Sequence, residues 1–201
     1  MMVVGGKATP STDKIKKYMA EDKNGELYIL RFPIGEFNKP EKVTKEIIND
    51  WIKTIEDFPS KLQNEINGLS DDQLEWRYRE GGWTIRQIVH HTFDSHVNAY
   101  IRFKLALTED KPTIRPYNEA PWAELDEAKH GPVELSLPLI KTLHKRWTVS
   151  LRNMNEEEWC RTLFHPEHNK EFRLDIFCGM YAWHCEHHLA HVRNAKDRKG
   201  G

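Results

Sequence analysis

The sequence predicts an all-α protein: a four-helix bundle with short extra helices and one small hairpin. Three observations carry this. Four long segments repeat apolar residues at three- and four-residue spacing, the period of a helix face turned toward a core. Capping signals open most of them. Only two short segments have strand character, and they flank a single polar turn.

Residues 1–29 read as an N-terminal extension. Residues 1–12 mix Gly, Pro, Ser and Thr without periodicity, 13–21 could wind one or two helical turns, and 27–32 read as a short extended lead into the domain. The domain itself is expected over 30–198. Its first long helix spans 44–66, with Ile48, Trp51, Ile55, Phe58, Leu62 and Ile66 on one stripe. Pro59 lies inside the pattern and predicts a kink, and Gly68 is a stop signal. Ser70 and Gln73 form a capping box for a short helix.

The second long helix is the best signalled. Gly81 and Gly82 make a turn, Thr84 and Gln87 a capping box, and Trp83 and Ile88 a hydrophobic staple. It should run to about Thr108. Residues 112–132 are proline-spaced, with one helical turn expected at 122–128; connections this long tend to be functional. A third helix, 137–154, turns Ile140, Leu143, Trp147 and Leu151 inward. Asn155 and Glu158 cap a short helix, 162–164 and 171–174 pair as a hairpin, and Asp175 caps a fourth long helix over 176–195. The connections are of unequal length, so simple up-down order is not implied.

Composition excludes several functions. The 201 residues hold 30 Lys and Arg against 31 Asp and Glu, so the basic excess of a nucleic-acid binder is missing. The basic end, Arg193, Lys196, Arg198 and Lys199, reads as a solvated tail. No run approaches the roughly 18 apolar residues of a membrane helix. Three cysteines are too few for a disulfide framework, and Cys178 and Cys185 read as small core residues. With no secretory signal at the start, the expected compartment is the cytoplasm. Histidine is the outlier, with 11 residues.

On the fourth helix His184, His188 and His191 fall within about 60° of one another, with His187 at the edge of that arc. Imidazole is costly in a bundle core unless it is partnered. Two imidazoles four residues apart can share one metal ion, given a third ligand from elsewhere. The second helix offers His90 or His91, which point about 100° apart. Gln87, Asp94, Ser95 and Asn98 lie around His91 as a polar stripe, facing either solvent or a wet cavity. Three protein ligands with an open position is the catalytic metal pattern, whereas structural sites fill all four.

Gly81-Gly82-Trp83-Thr84-Ile85-Arg86-Gln87-Ile88-Val89-His90-His91 looks like the first metal motif of the DinB-like superfamily. Tyr100-Ile101-Arg102-Phe103-Lys104-Leu105-Ala106-Leu107-Thr108-Glu109-Asp110 and Ile114-Arg115-Pro116-Tyr117 narrow the resemblance to its YfiT branch. Tyr181-Ala182-Trp183-His184 with His187-His188-Leu189-Ala190-His191 resembles its closing motif, and Phe32-Pro33-Ile34-Gly35 its start. The resemblance covers about residues 32–192. It implies a four-helix bundle of unusual topology, a homodimer, and a metal-dependent hydrolase with zinc or nickel on three histidines. Carried over by motif, the ligands are His91, His184 and His188; His90, His187 and His191 take supporting or surface roles. The substrate would be a small molecule. Some relatives instead transfer a low-molecular-weight thiol, bacillithiol, to an electrophile. A divalent ion on three neutral imidazoles could activate either water or a thiol. Asp94, Ser95 and Asn98 are then candidates to line the cavity, while Arg102, about 16 Å along the helix axis, is expected to stand clear of the chemistry. A metal-braced binding module is the non-enzymatic alternative.

Overall fold

The computed structural model describes residues 25–199. The helical turns expected at 13–21 lie outside them. The first element is α1 (Glu26–Arg31), a helix where an extended lead was expected at 27–32. So short an apolar run does not separate strand from helix by its period. Among the described residues no strand pairs with this segment, and Glu26 in the first turn and Arg31 in the last suit the helix dipole.

α2 (Lys45–Ile66) starts at Thr44, whose hydroxyl accepts the Ile47 N–H. Ile52, Ile55, Phe58, Leu62 and Ile66 are buried, while Ile48 and Trp51 sit half-buried at the edge of the face. The helix continues through Pro59. Proline has no N–H, so the carbonyl four residues back, that of Ile55, loses its helical donor. After Ile66 the chain turns at Gly68, whose φ of +81° is in the left-handed region. α3 (Asp71–Leu74) and α4 (Ile85–Thr108) both open with the expected capping boxes, Ser70 with Gln73 and Thr84 with Gln87.

The proline-spaced connection holds two short helices, α5 (Glu119–Ala123) and α6 (Asp126–His130), where one turn was expected. A 3-10 turn, Val133–Leu135, leads into α7 (Ser136–Arg152). α8 (Glu156–Cys160) carries the Asn155–Glu158 capping box. β1 (Thr162–His165) and β2 (Lys170–Arg173) form the antiparallel hairpin, with Leu163 opposite Phe172. Phe164 also bonds back to the long connection, giving its N–H to Pro112 and taking that of Ile114.

The last helix, α9 (Leu174–Lys199), begins earlier and ends later than 176–195. Asp175 lies inside its first turn rather than at its cap, where its carboxylate accepts from Arg173 at 2.7 Å and from the Ile176 N–H at 2.7 Å. The basic end is not a tail. It forms the last turns of α9, where Arg193 and Lys196 reach Glu65 at 2.6 and 2.9 Å and Arg198 approaches Glu26.

Four long helices close a ring: α9 packs on α2, α2 on α7, α7 on α4, and α4 on α9. The consecutive long helices α2 and α4 therefore stand diagonally across the bundle, as do α7 and α9. Gly179 allows the tight α2–α9 contact, since a Cβ there would meet the Trp51 ring at 2.8 Å. Phe58, Phe103 and Trp147 fill the centre, each worth roughly 1.5–3 kcal/mol of burial. Among the described residues no helix is long and apolar enough to cross a membrane.

Candidate metal centre

The ring order places α4 beside α9, which brings His91 to His184 and His188. One ring nitrogen of each lies within 4.8 Å of the others. The ring centroids are 5.4 Å apart for His91–His184, 4.9 Å for His91–His188 and 4.4 Å for His184–His188. The Nε2 atoms of His184 and His188 are 3.2 Å apart. Trp83 closes over His91 with its ring 4.4 Å away.

Burial keeps these imidazoles neutral. It pushes the His91 pKa down to about 3, with His187 and His191 adding repulsion. It takes His184 and His188 well below the usual value, and the neighbouring imidazoles lower them further. A neutral imidazole has one N–H and one lone pair, so the partner of one nitrogen dictates the state of the other.

Behind His184 runs a chain of hydrogen bonds through all four long helices. The Ile55 carbonyl on α2, freed by Pro59, can only accept, and His144 Nδ1 on α7 lies 2.5 Å from it. His144 Nδ1 therefore carries the proton and its Nε2 is bare. His96 Nδ1 on α4, 2.7 Å away, must donate to that Nε2. His96 Nε2 is then bare in turn and accepts from His184 Nδ1 at 2.9 Å. What remains on His184 is a lone pair at Nε2.

A shorter chain stands behind His188. His191 Nε2 donates to the Arg31 carbonyl at 3.2 Å, and His191 Nδ1 accepts from His188 Nδ1 at 3.4 Å. His188 is again left with a bare Nε2. Two lone pairs 3.2 Å apart repel unless a cation lies between them. Bonds of about 2.0–2.1 Å at a tetrahedral zinc put two nitrogens about 3.3 Å apart. The donor set thus fits a divalent ion, and His91, His184 and His188 could hold one.

The other histidines sort by geometry. His90 is saturated elsewhere: its Nε2 donates to the Gly131 carbonyl at 3.1 Å and its Nδ1 meets the Ser136 hydroxyl at 2.8 Å. His191 stacks on Tyr78, centroids 3.9 Å apart, and backs His188. His187 stacks on Trp183 at 4.4 Å. His96 and His144 were absent from the sequence reading. His144 was nonetheless on the inward stripe of its helix with Ile140 and Trp147, and Pro59 announced a carbonyl needing a donor.

A cleft of about 820 Å³ opens beside the triad and meets it at His184. Its walls come from α4, the long connection, the hairpin and α9. Ser95 lines it. Asp94 and Asn98, expected with Ser95, do not: Asn98 donates to the Asp94 carbonyl at 2.8 Å. Burial raises the Asp94 carboxyl to about 6, with Glu127 adding to it. Arg102, expected to stand clear, lines the cleft with His184. The axial rise along one helix measured its distance from His91, but α9 brings His184 alongside it. Cys178 and Cys185 are buried, as expected of core residues, and Cys160 is exposed.

Residues 54–192 match the DinB superfamily. A Bacillus cereus protein with the provisional name of metal-dependent hydrolase is 49% identical over 169 residues, 84% of this chain and 96% of its own length. The similarly named YfiT of Bacillus subtilis is 44% identical over 171 residues, 85% of this chain and 96% of its own. The solved YfiT structure, described in the same provisional terms and as a four-helix bundle of unusual topology, superposes with a TM-score of 0.83 over 86% of this chain and 98% of that one. The chain therefore belongs to the DinB superfamily and is a homologue of YfiT.

Proposed function

We propose that this protein is a metal-dependent hydrolase of small molecules, with one divalent ion, zinc or nickel, on His91, His184 and His188. The observation that carries the reading is the pair of bare Nε2 atoms 3.2 Å apart at the edge of an open cleft. When bound, such an ion lowers the pKa of a coordinated water toward about 7 and polarises a carbonyl. The chain's own residues do the rest. His96 and His144 hold the His184 ring in one tautomer, and His191 does so for His188. Trp83 lies against the His91 ring, and the cleft opens to substrate at His184.

A second reading, transfer of a low-molecular-weight thiol such as bacillithiol, is favoured by the cysteines. Burial raises the Cys178 and Cys185 thiols and keeps them out of the cleft, so a thiol nucleophile would come from solution. A homodimer in the cytoplasm belongs to the same proposal. The test is turnover of an amide and ester panel, and of a bimane electrophile, each with and without added thiol. Thiol-independent cleavage lost in His184→Ala supports the hydrolase, and thiol-dependent conjugation the transferase. Inactivity of the metal-loaded protein in both, with tight ligand binding, would leave a metal-braced binding module.

A further inference from the structure

Arg102 is a buried cation with no counter-charge paired to it among the described residues, set in the wall of the cleft that holds His184. The residue is 7% exposed. Its Nη2 donates to the Arg115 carbonyl at 3.1 Å, and its guanidinium carbon lies 5.9 Å from the Tyr117 ring centre. Among the described residues it enters no salt bridge. Arg86 on the same helix is as deeply buried, and there Asp71 and Glu75 stand at 3.0 and 2.7 Å. Guanidinium does not shed its proton, so burying it unpaired is costly unless something else supplies the negative charge.

Hydroxyls that can donate stand near Arg102. The Tyr181 hydroxyl faces Ser95 and Arg102, and the Tyr117 hydroxyl faces Ser95. His165, 8% exposed, leaves its buried Nδ1 without a partner on the same cleft. Glu119 and Glu167 also line the cleft, but neither pairs with Arg102. The Tyr181 ring lies 5.7 Å from that of His184, so one tyrosine separates the cation from the triad.

The geometry points to an oxyanion subsite: Arg102, with Tyr117 and Tyr181, takes a carboxylate or phosphate of the substrate while the reacting end lies at His184. This deepens the function proposed above and rests on it, because it takes His184 to mark the reacting end. Substrates are then small anionic molecules, and neutral analogues of the same size bind less well.

Hydroxamates test this, since they ligate an open divalent ion whatever their other end carries. Zinc-loaded protein is titrated calorimetrically with the monohydroxamates of succinic, glutaric and adipic acid, with their methyl esters, and with 3-phosphonopropanohydroxamate. For at least one chain length the free acid should bind ten-fold or more tighter than its ester. Arg102→Gln should abolish that difference and leave the ester's affinity unchanged, which also certifies the fold; Arg102→Lys should restore part of it. A phosphonate tighter than every carboxylate would assign phosphate, and the reverse a carboxylate. Equal binding of acid and ester at all lengths would overturn the subsite. So would an equal loss for both in Arg102→Gln. Failure of every hydroxamate, esters included, would instead overturn the open metal centre and the subsite with it. If Arg102→Gln does not fold, the wild-type comparison of acid with ester still decides.

Discussion

His184 and His188 lie one turn apart on α9 and converge on one point, yet they are held by different parts of the molecule. His184 is backed through the core: His96, His144 and the Ile55 carbonyl, at 2.9, 2.7 and 2.5 Å, on three other helices. His188 is backed by His191 on its own helix at 3.4 Å, which rests in turn on the Arg31 carbonyl outside the bundle at 3.2 Å. Arg31 belongs to a six-residue helix with no buried residue. The core support cannot shift without unpacking four helices, whereas the outer one can relax. A candidate metal-binding imidazole can thus be fixed by the fold itself or by an appendage laid over it, and the two should fail differently.

Acid should break both at once, with the largest effect. Burial lowers His96, His184 and His188 well below their usual value, His91 to about 3, and His144 and His191 to about 4. In the unfolded chain they protonate near 6.5. Between about 6.5 and 4 the unfolded state therefore binds more protons, so their contribution to stability is complete above 6.5 and lost as pH falls. Each such group costs about 1.4 kcal/mol per pH unit. For six such groups the loss from pH 6.5 to 4.5 rivals a domain's whole stability of about 5–15 kcal/mol, so most of the resistance to urea should vanish over that interval; a flat profile would show that these rings are not held neutral.

Breaking the core support alone comes next. His144→Leu orphans the Ile55 carbonyl, at a cost of about 1–3 kcal/mol, and frees His96 to turn. Zinc affinity, read by competition with a chromogenic chelator, should fall about 10–100-fold. Pro59→Ala isolates the anchor. It returns an N–H to compete for the Ile55 carbonyl, so thermal stability should hold or rise while zinc affinity drops several-fold. Unchanged affinity would mean that the freed carbonyl does not orient the chain of rings. The outer support gives the smallest effect. His191→Phe keeps the stack on Tyr78, and affinity should weaken only about three-fold, below the usual range for such partners. A loss as large as that of His144→Leu would erase the contrast between the two supports.

The contrast also explains what could be read in advance. The four helices were legible because each carries a long apolar stripe, and two of them open on a side-chain cap at Thr44 or Thr84, both local signals. The clustering of His184 with His188 was legible because they repeat at one helical turn. His96 escaped because it is five residues from His91, off its face, and gains meaning only once α7 brings His144 against it. Arg102 was misplaced for a related reason: distance along one helix says nothing about the neighbour that crosses it. The short helix at Arg31 read as extended because six residues do not fix a period.

Metal content is the most direct test of the account, measured by mass spectrometry on untagged protein loaded with zinc and dialysed. One equivalent is predicted for the wild type and for His187→Ala, whose ring stacks on Trp183 and is not among the three whose nitrogens converge. Near zero is predicted for His91→Ala, His184→Ala and His188→Ala, with the helical circular dichroism signal kept. A wild type that retains no metal, or full retention in both His184→Ala and His188→Ala, would contradict it.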